Sequence, residues 1–254
     1  MAEANKETIK MYDGAVEMVY YPDSHQYRVA GKRLPSVSSI VGYSNSPDGL
    51  MNWAVRQTLD FMRVDLIKNS AVEYHKEQVL MLIADAQNEW ERSREQAATL
   101  GDYIHALLQG IEYELPVQDE WIPVGEKALA KFKKWCASVG YESTDVERIV
   151  YSQKYNYCGR LDDLGNSQFG RHMLDYKTGS IRIKAYAQLA GYGLAYEEET
   201  GDKINKMTIV DIDKETGDIS FHNVPINRSK QVFRKFLRLH QSLLSFTRDK
   251  KVKA

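Results

Sequence analysis

The sequence predicts an α/β fold in which a central mixed β-sheet is flanked by helices, with a helical N-terminal region packed over one end. The chain has 254 residues, 43% of them hydrophobic, which is enough to bury a sizeable core. Apolar residues recur at helical spacing through much of the first half, whereas the second half alternates short β-type runs with helices. We therefore divide the chain into an N-terminal hairpin and helical region, 1–110, and a core, 111–254.

In the first region, Val16–Tyr21 and Gln26–Val29 are predicted strands on either side of a polar turn. Residues 32–39 are predicted to form a loop. Ser46, Pro47 and Asp48 begin a helical stretch to about residue 67, because proline is favoured at the first helical position. A second long helical stretch is predicted over 69–109.

The core region begins with an amphipathic helix, Trp121–Val139, ended by Gly140. Strands and helices then alternate. The predicted strands are 146–152, 157–164, 172–176, 206–212 and 219–224, and the predicted helices are 183–199 and 228–246.

Composition excludes several classes. No apolar run is long enough to cross a membrane, and the polar N-terminus does not have the pattern of a secretory signal. Two cysteines cannot supply a disulfide framework or a four-cysteine metal site, so we expect a cytoplasmic protein. From residue 226 onward the chain has nine basic residues and one acidic residue, which indicates either a polyanion-binding surface or a solvated helix face.

Two segments contain residues suited to metal-dependent chemistry. Asp175 and Lys177 are two apart on a predicted strand and therefore share a face, and Asp162 lies on the preceding predicted strand. Carboxylates are the ligands that Mg²⁺ and Mn²⁺ prefer, and a nearby lysine can orient a metal-bound water. The alternative is an ordinary salt bridge across a hairpin.

These residues belong to a longer series of motifs. In order along the chain they are Gly101…His105, Glu147, Gly159-Arg160-Leu161-Asp162, Leu174-Asp175-Tyr176-Lys177-Thr178-Gly179 and Gln188…Tyr192. The series resembles the RecB-type branch of the PD-(D/E)xK nucleases, which implies a restriction-endonuclease-like core. More weakly, Tyr27-Arg28-Val29, the segment Leu34 to Ser38, Leu50 and Trp53 resemble the opening of phage exonucleases and of mitochondrial genome maintenance exonucleases.

The resemblance implies roles for individual residues. His105, Asp162, Asp175 and the Tyr176 carbonyl would bind Mg²⁺ or Mn²⁺, and Lys177 would be the catalytic lysine. Glu147 is either an outer metal ligand or a surface acid, and Gln188 would hold the lysine or a nucleotide. Ser36, Ser38 and Tyr192 are predicted DNA contacts. Arg160, Arg182 and Lys184 lie close in sequence to the motif strands, so they are predicted either to contact DNA phosphates or to balance the charge of the acidic site.

The function expected from this resemblance is a metal-dependent exonuclease that acts on linear DNA ends, with single strands favoured. A setting in phage recombination or DNA repair is implied, with a recombination or single-strand-binding protein as a potential partner and no membrane partner. The alternatives are an endonuclease with the same centre and a non-catalytic DNA-binding protein.

Overall fold

The computed structural model describes residues 5–42 and 75–252, together with Leu59, Met62 and Val64, which are helical. The predicted helix start at 46–48, the start of the second helical stretch near residue 69, and the residues Leu50 and Trp53 lie outside the described residues.

The N-terminal segment forms a four-stranded antiparallel sheet in which each strand pairs with the next. The two predicted strands are confirmed as its inner strands, whereas the outer two were not predicted. The loop predicted at 32–39 is wrong in part, because it contains a strand and the start of a short helix. The outer strands are rich in polar, exposed residues, so their alternation is weak, and pairing with the inner strands determines their conformation. The elements are β1 (Glu7–Met11), β2 (Val16–Tyr21), β3 (Gln26–Val29), β4 (Lys32–Leu34) and α1 (Val37–Val41).

The rest of the chain builds a five-stranded sheet with the order β11-β10-β9-β8-β5. Strands β9 and β10 are parallel, and the other neighbours are antiparallel. The predicted α/β class with a central mixed sheet is therefore confirmed. The elements are α2 (Lys76–Gln109), α3 (Trp121–Val139), β5 (Glu142–Val146), β6 (Ile149–Ser152), β7 (Tyr157–Arg160), β8 (Asp163–Ser167), β9 (Gly170–Lys177), α4 (Ile183–Thr200), β10 (Lys206–Ile212), β11 (Ile219–Asn223) and α5 (Ile226–Val252).

Helices cover both faces of this sheet. On one face, Ile104 of α2 and Phe132 of α3 pack in one cluster with Tyr176 of β9. On the other face, α1, α4 and α5 share a cluster with Met173 of β9, and this cluster includes Phe233. Because side chains alternate along β9, residues 173, 175 and 177 point toward the α4 side. In the part of the chain that is described, no helix is both long enough and apolar enough to traverse a bilayer.

Two of the predicted strands are interrupted, and the interruption creates the site. The predictions of continuous strands at 146–152 and 157–164 are wrong, because the chain bends at 147–148 and at 161–162. Glu147 has a left-handed φ of 51° and donates its N–H to the Asp162 carbonyl at 3.0 Å. Beyond the bend, β6 and β7 form a separate hairpin that packs on the N-terminal sheet. Asp162 therefore lies at a bend between β7 and β8 rather than within a strand.

Candidate active site

Asp175 and Lys177 lie on the same face of β9, as their spacing predicts. The Lys177 Nζ atom is 2.7 Å from Asp175 Oδ2. Asp175 is completely buried, and neither of its carboxylate oxygens has a hydrogen bond of good geometry from any described residue, so the ammonium contact is an ion pair. Because a buried carboxylate without directed donors is costly, this pair of oxygens is suited to an additional cationic partner.

Asp162 lies at the bend between β7 and β8, and its side chain reaches the backbone of β9 beside Asp175 and Lys177. Its Oδ2 accepts a hydrogen bond from the Tyr176 N–H at 2.8 Å, and the Tyr176 carbonyl accepts one from Lys177 Nζ at 3.2 Å. The three side chains that the sequence singled out therefore surround the backbone of Tyr176.

Burial and mutual charge control the ionisation of this group. Burial raises the pKa of Asp175 to about 6, although the Lys177 ammonium opposes the shift. Burial also raises the pKa of Asp162. For Lys177, burial alone would lower the pKa, but the charges of Asp175 and Asp162 outweigh it and raise the pKa above its ordinary value. Lys177 therefore remains an ammonium at neutral pH.

His105 approaches from α2, with its ring centroid 5.8 Å from that of Tyr176. Burial and the charge of Lys177 lower the pKa of His105, which keeps the imidazole neutral. Across the described residues, however, no three histidine, cysteine or carboxylate side chains are close enough together to hold a cation alone. His105, Asp162 and Asp175 thus do not form a closed three-ligand set.

The donors nevertheless fit Mg²⁺ or Mn²⁺. Mg²⁺ retains several waters and is commonly held by one or two carboxylates together with substrate phosphates, so a closed cage is not required. Asp175 offers two buried oxygens, one of them ion-paired with Lys177, and Asp162 and the Tyr176 carbonyl offer further oxygen ligands. A neutral His105 is a compatible nitrogen donor.

Glu147 has both carboxylate oxygens engaged by neighbouring side chains. Oε2 is 2.6 Å from Arg160 Nε, and Oε1 accepts a hydrogen bond from Gln109 Nε2 at 2.8 Å. Glu147 therefore adjoins the centre through Arg160 and Gln109, and it pairs with one of the arginines predicted to bind DNA.

Gln188 and Tyr192 lie one helical turn apart on α4, and Gln188 Nε2 donates to the Tyr192 hydroxyl at 2.8 Å. Burial raises the pKa of Tyr192 to about 12, and the charges of Asp162 and Asp175 contribute to the shift. Tyr192 and Asp162 line the same pocket. Gln188 thus positions Tyr192, and no contact between Gln188 and Lys177 is observed within the described structure.

Two glycines of the motifs, Gly159 and Gly101, are explained by close packing against other motif residues. A Cβ atom on Gly159 would lie 2.5 Å from the Tyr192 ring, and one on Gly101 would lie 2.8 Å from the Thr178 hydroxyl. Four elements that are distant in the sequence are therefore packed together in pairs, which places β7 against α4 and α2 against the end of β9.

A pocket of about 350 Å³ opens beside Asp162. It combines four of the predicted DNA-binding residues with Tyr27 of β3 and His25 from the turn before that strand. Its lining consists of His25, Tyr27, Ser36, Ser38, Gly159, Arg160, Asp162 and Tyr192. The other two predicted contacts, Arg182 and Lys184, lie at the start of α4 and do not line this pocket.

A larger cavity, of about 520 Å³, begins at Thr178 and extends between the ends of β9 and β10. Four acidic residues and one lysine are in its lining, namely Asp211, Asp213, Glu215, Asp218 and Lys214. An acidic lining repels a phosphate backbone, so we do not assign DNA to this cavity.

Three residues at this site were not assigned to it from the sequence, although Tyr27 belongs to the segment that resembles phage exonucleases. Gln109 follows His105 by four positions on one helix face, and that spacing was the available signal. His25 and Tyr27 reach the pocket only because the N-terminal sheet packs on the β6–β7 hairpin. No local sequence pattern indicates that contact.

No family model matches the chain. No curated protein matches it either. One solved structure that is similar is that of a "Putative exonuclease" from Eubacterium rectale, with 14% identity and a TM-score of 0.41 over 57% of this chain and 65% of that one. At this level the similarity carries no argument about the site.

Proposed function

We propose that this protein is a divalent-metal-dependent DNA exonuclease that hydrolyses phosphodiester bonds from strand ends. The observation that carries the proposal is the arrangement of Asp162, Asp175 and Lys177 around the Tyr176 backbone. A simple salt bridge across a hairpin requires one carboxylate, whereas here a second, half-buried carboxylate borders an open pocket.

Each residue has a distinct role in the proposed reaction. A bound Mg²⁺ or Mn²⁺ would supply an acidified water and neutralise charge on the scissile phosphate. Asp162 and Asp175 would hold the cation, with the Tyr176 carbonyl and His105 as further donors. Lys177 stays protonated, so it would donate a hydrogen bond to the attacking water and offset developing negative charge, rather than remove a proton.

The proposed path of the DNA strand leads through the pocket beside Asp162. Ser36, Ser38 and Arg160 offer donors to phosphate oxygens there, and the N-terminal sheet closes one side. This enclosure favours a single strand that enters by its end. On α5, four basic side chains are exposed and could guide the backbone, namely Arg228, Arg234, Lys235 and Arg238. Lys230 is excluded from this role because its side chain is only 12% exposed and pairs with Glu197.

The decisive experiment is digestion of end-labelled linear single- and double-stranded DNA beside a covalently closed circle, with Mg²⁺ or Mn²⁺. Asp175→Ala removes a ligand and Lys177→Ala removes the ammonium, and we expect each to lower the rate by at least about 10²-fold. Asp211→Ala is the matched control, because Asp211 is directly opposite Lys177 in the β9–β10 register but lines the acidic cavity.

The proposal stands if linear DNA is degraded, the circle survives, and only the control variant retains activity. Cleavage of the circle would instead favour the endonuclease alternative with the same centre. Binding of DNA without cleavage by either metal would leave a non-catalytic DNA-binding protein and contradict the catalytic assignment.

We propose a role in DNA recombination or repair, in phage or cytoplasm, with a recombination or single-strand-binding protein as a partner. Only the resemblance of the motifs supports this setting, and co-purification with DNA-bound single-strand-binding protein would test the partner.

A further inference from the structure

Gln109, the last residue of α2, contacts both bends that border the site, one between β5 and β6 and the other between β7 and β8. Its side-chain Nε2 donates to Glu147 Oε1 at 2.8 Å and to the Asp162 carbonyl, also at 2.8 Å. Glu147 lies between β5 and β6, and Asp162 lies between β7 and β8. One amide group therefore connects three segments that are far apart in the sequence.

These contacts fix Asp162 from two sides. Its carbonyl accepts from Gln109 Nε2 and from the Glu147 N–H at 3.0 Å, while its carboxylate accepts from the Tyr176 N–H. Asp162 lies between β7 and β8, so two of these donors hold its backbone carbonyl in place and the third holds its carboxylate. The Gln109 amide is the one side-chain donor among them.

The contact is not needed to end the helix. Gly110 adopts a left-handed φ of 69° and caps α2, and the Ile111 N–H donates to the Ala106 carbonyl at 2.9 Å. Gln109 is also half-buried rather than part of the hydrophobic core. Its side chain is therefore free of a capping role, and its two hydrogen bonds are both directed at the site.

We propose that Gln109 is a positioning residue that transmits the placement of α2 to Asp162 and Glu147. His105 lies one turn earlier on the same helix face. The last turns of α2 therefore carry both a candidate metal ligand, His105, and the residue that positions Asp162. This inference rests on the proposed metal-dependent function. Groups that orient metal ligands typically affect metal affinity or activity by about 10–100-fold, so loss of the amide should weaken cation binding.

The test is titration of the purified full-length protein with Mn²⁺, with free Mn²⁺ measured by electron paramagnetic resonance. Gln109→Ala removes the amide, and Gln109→Met removes it while keeping length and helix propensity. We expect both to raise the Mn²⁺ dissociation constant by about 10-fold. The Mn²⁺ concentration for half-maximal DNA cleavage should rise equally, with the rate recovering at saturating Mn²⁺.

Gln78→Ala is the matched control, because Gln78 lies in the first turn of the same helix and accepts the His75 N–H at 2.9 Å. It should weaken α2 without changing Mn²⁺ affinity. Wild-type affinity in both Gln109 variants, while wild type binds Mn²⁺ and cleaves DNA, overturns this inference and leaves the proposed function intact. If wild type itself binds no Mn²⁺, the proposed function fails and this inference fails with it.

Discussion

Gly159 lies where β7 passes directly beneath the ring of Tyr192. A Cβ atom there would meet the ring at 2.5 Å and the Val37 side chain at 3.2 Å, and all three residues are buried. Since a buried aromatic ring between two elements cannot shift freely, an added methyl group must displace β7 or α4. Either displacement would move Tyr192 relative to Asp162.

We therefore expect Gly159→Ala to lower the free energy of unfolding by about 1–3 kcal/mol, the usual range for overpacking. Chemical denaturation and the DNA digestion assay measure the two consequences. Gly179→Ala is the control, because nothing lies within 4 Å of a Cβ at that position. Equal stability of the two variants would show that the Tyr192 ring does not lie as described.

At the scale of elements, the bend between β5 and β6 depends on one residue with a strained backbone conformation. Glu147 has a φ of 51°, a region that costs a residue with a side chain roughly 1 kcal/mol or more and costs glycine little. The strain persists because Gln109, Arg160 and the Asp162 carbonyl all hold Glu147 in place. Backbone strain of this kind is often found at functional sites.

Comparison of Glu147→Gly with Glu147→Ala isolates this strain, because both variants lose the carboxylate. We expect the glycine variant to be the more stable by about 1 kcal/mol, measured by urea denaturation at neutral pH. In an extended strand the order would reverse, because glycine loses more conformational entropy on folding. A more stable alanine variant would therefore mean that the strand is continuous at this position.

The bend between β5 and β6 was not predicted from the sequence, whereas several regular helices and strands were. Helices α3 and α4 and strands β10 and β11 were located closely, because their hydrophobic periodicity is regular and glycine follows both helices. The bends at 147 and 162 fall within runs whose composition still favours strands, and long-range hydrogen bonds create them. The pairing of Asp175 with Lys177 was predictable from strand alternation, whereas the contacts of Gln109, His25 and Tyr27 depend on tertiary packing.

At the scale of the whole molecule, His172 links folding stability to pH. It is completely buried on β9, and its ring nitrogens hydrogen-bond Ser167 Oγ at 3.1 Å and Thr208 Oγ1 at 2.9 Å, which join β8, β9 and β10. Burial lowers the pKa of His172 from 6.5 to about 4, and the charge of Lys206 adds to the effect. The folded protein therefore excludes a proton that the unfolded chain binds.

The sign of the effect follows from this difference. The unfolded chain binds more protons between pH 6.5 and about 4, so the contribution of His172 to stability is complete above pH 6.5 and is lost as the pH falls toward 4. The full loss is about 3 kcal/mol at about 1.4 kcal/mol per pKa unit. Asp175 acts in the opposite direction, because its raised pKa of about 6 favours the folded state at low pH.

Because the two contributions oppose each other, the pH profile of the wild type alone cannot show the effect of His172. His172→Gln retains a donor and an acceptor without a titrating group, and Asp175 remains in both proteins. We expect the free-energy difference between wild type and variant, from denaturation at several pH values, to be greatest above pH 6.5 and to shrink by about 3 kcal/mol toward pH 4. A difference that stays constant with pH would mean that His172 is charged in the folded protein or accessible to water. Both are opposed by its buried position, where it connects three strands.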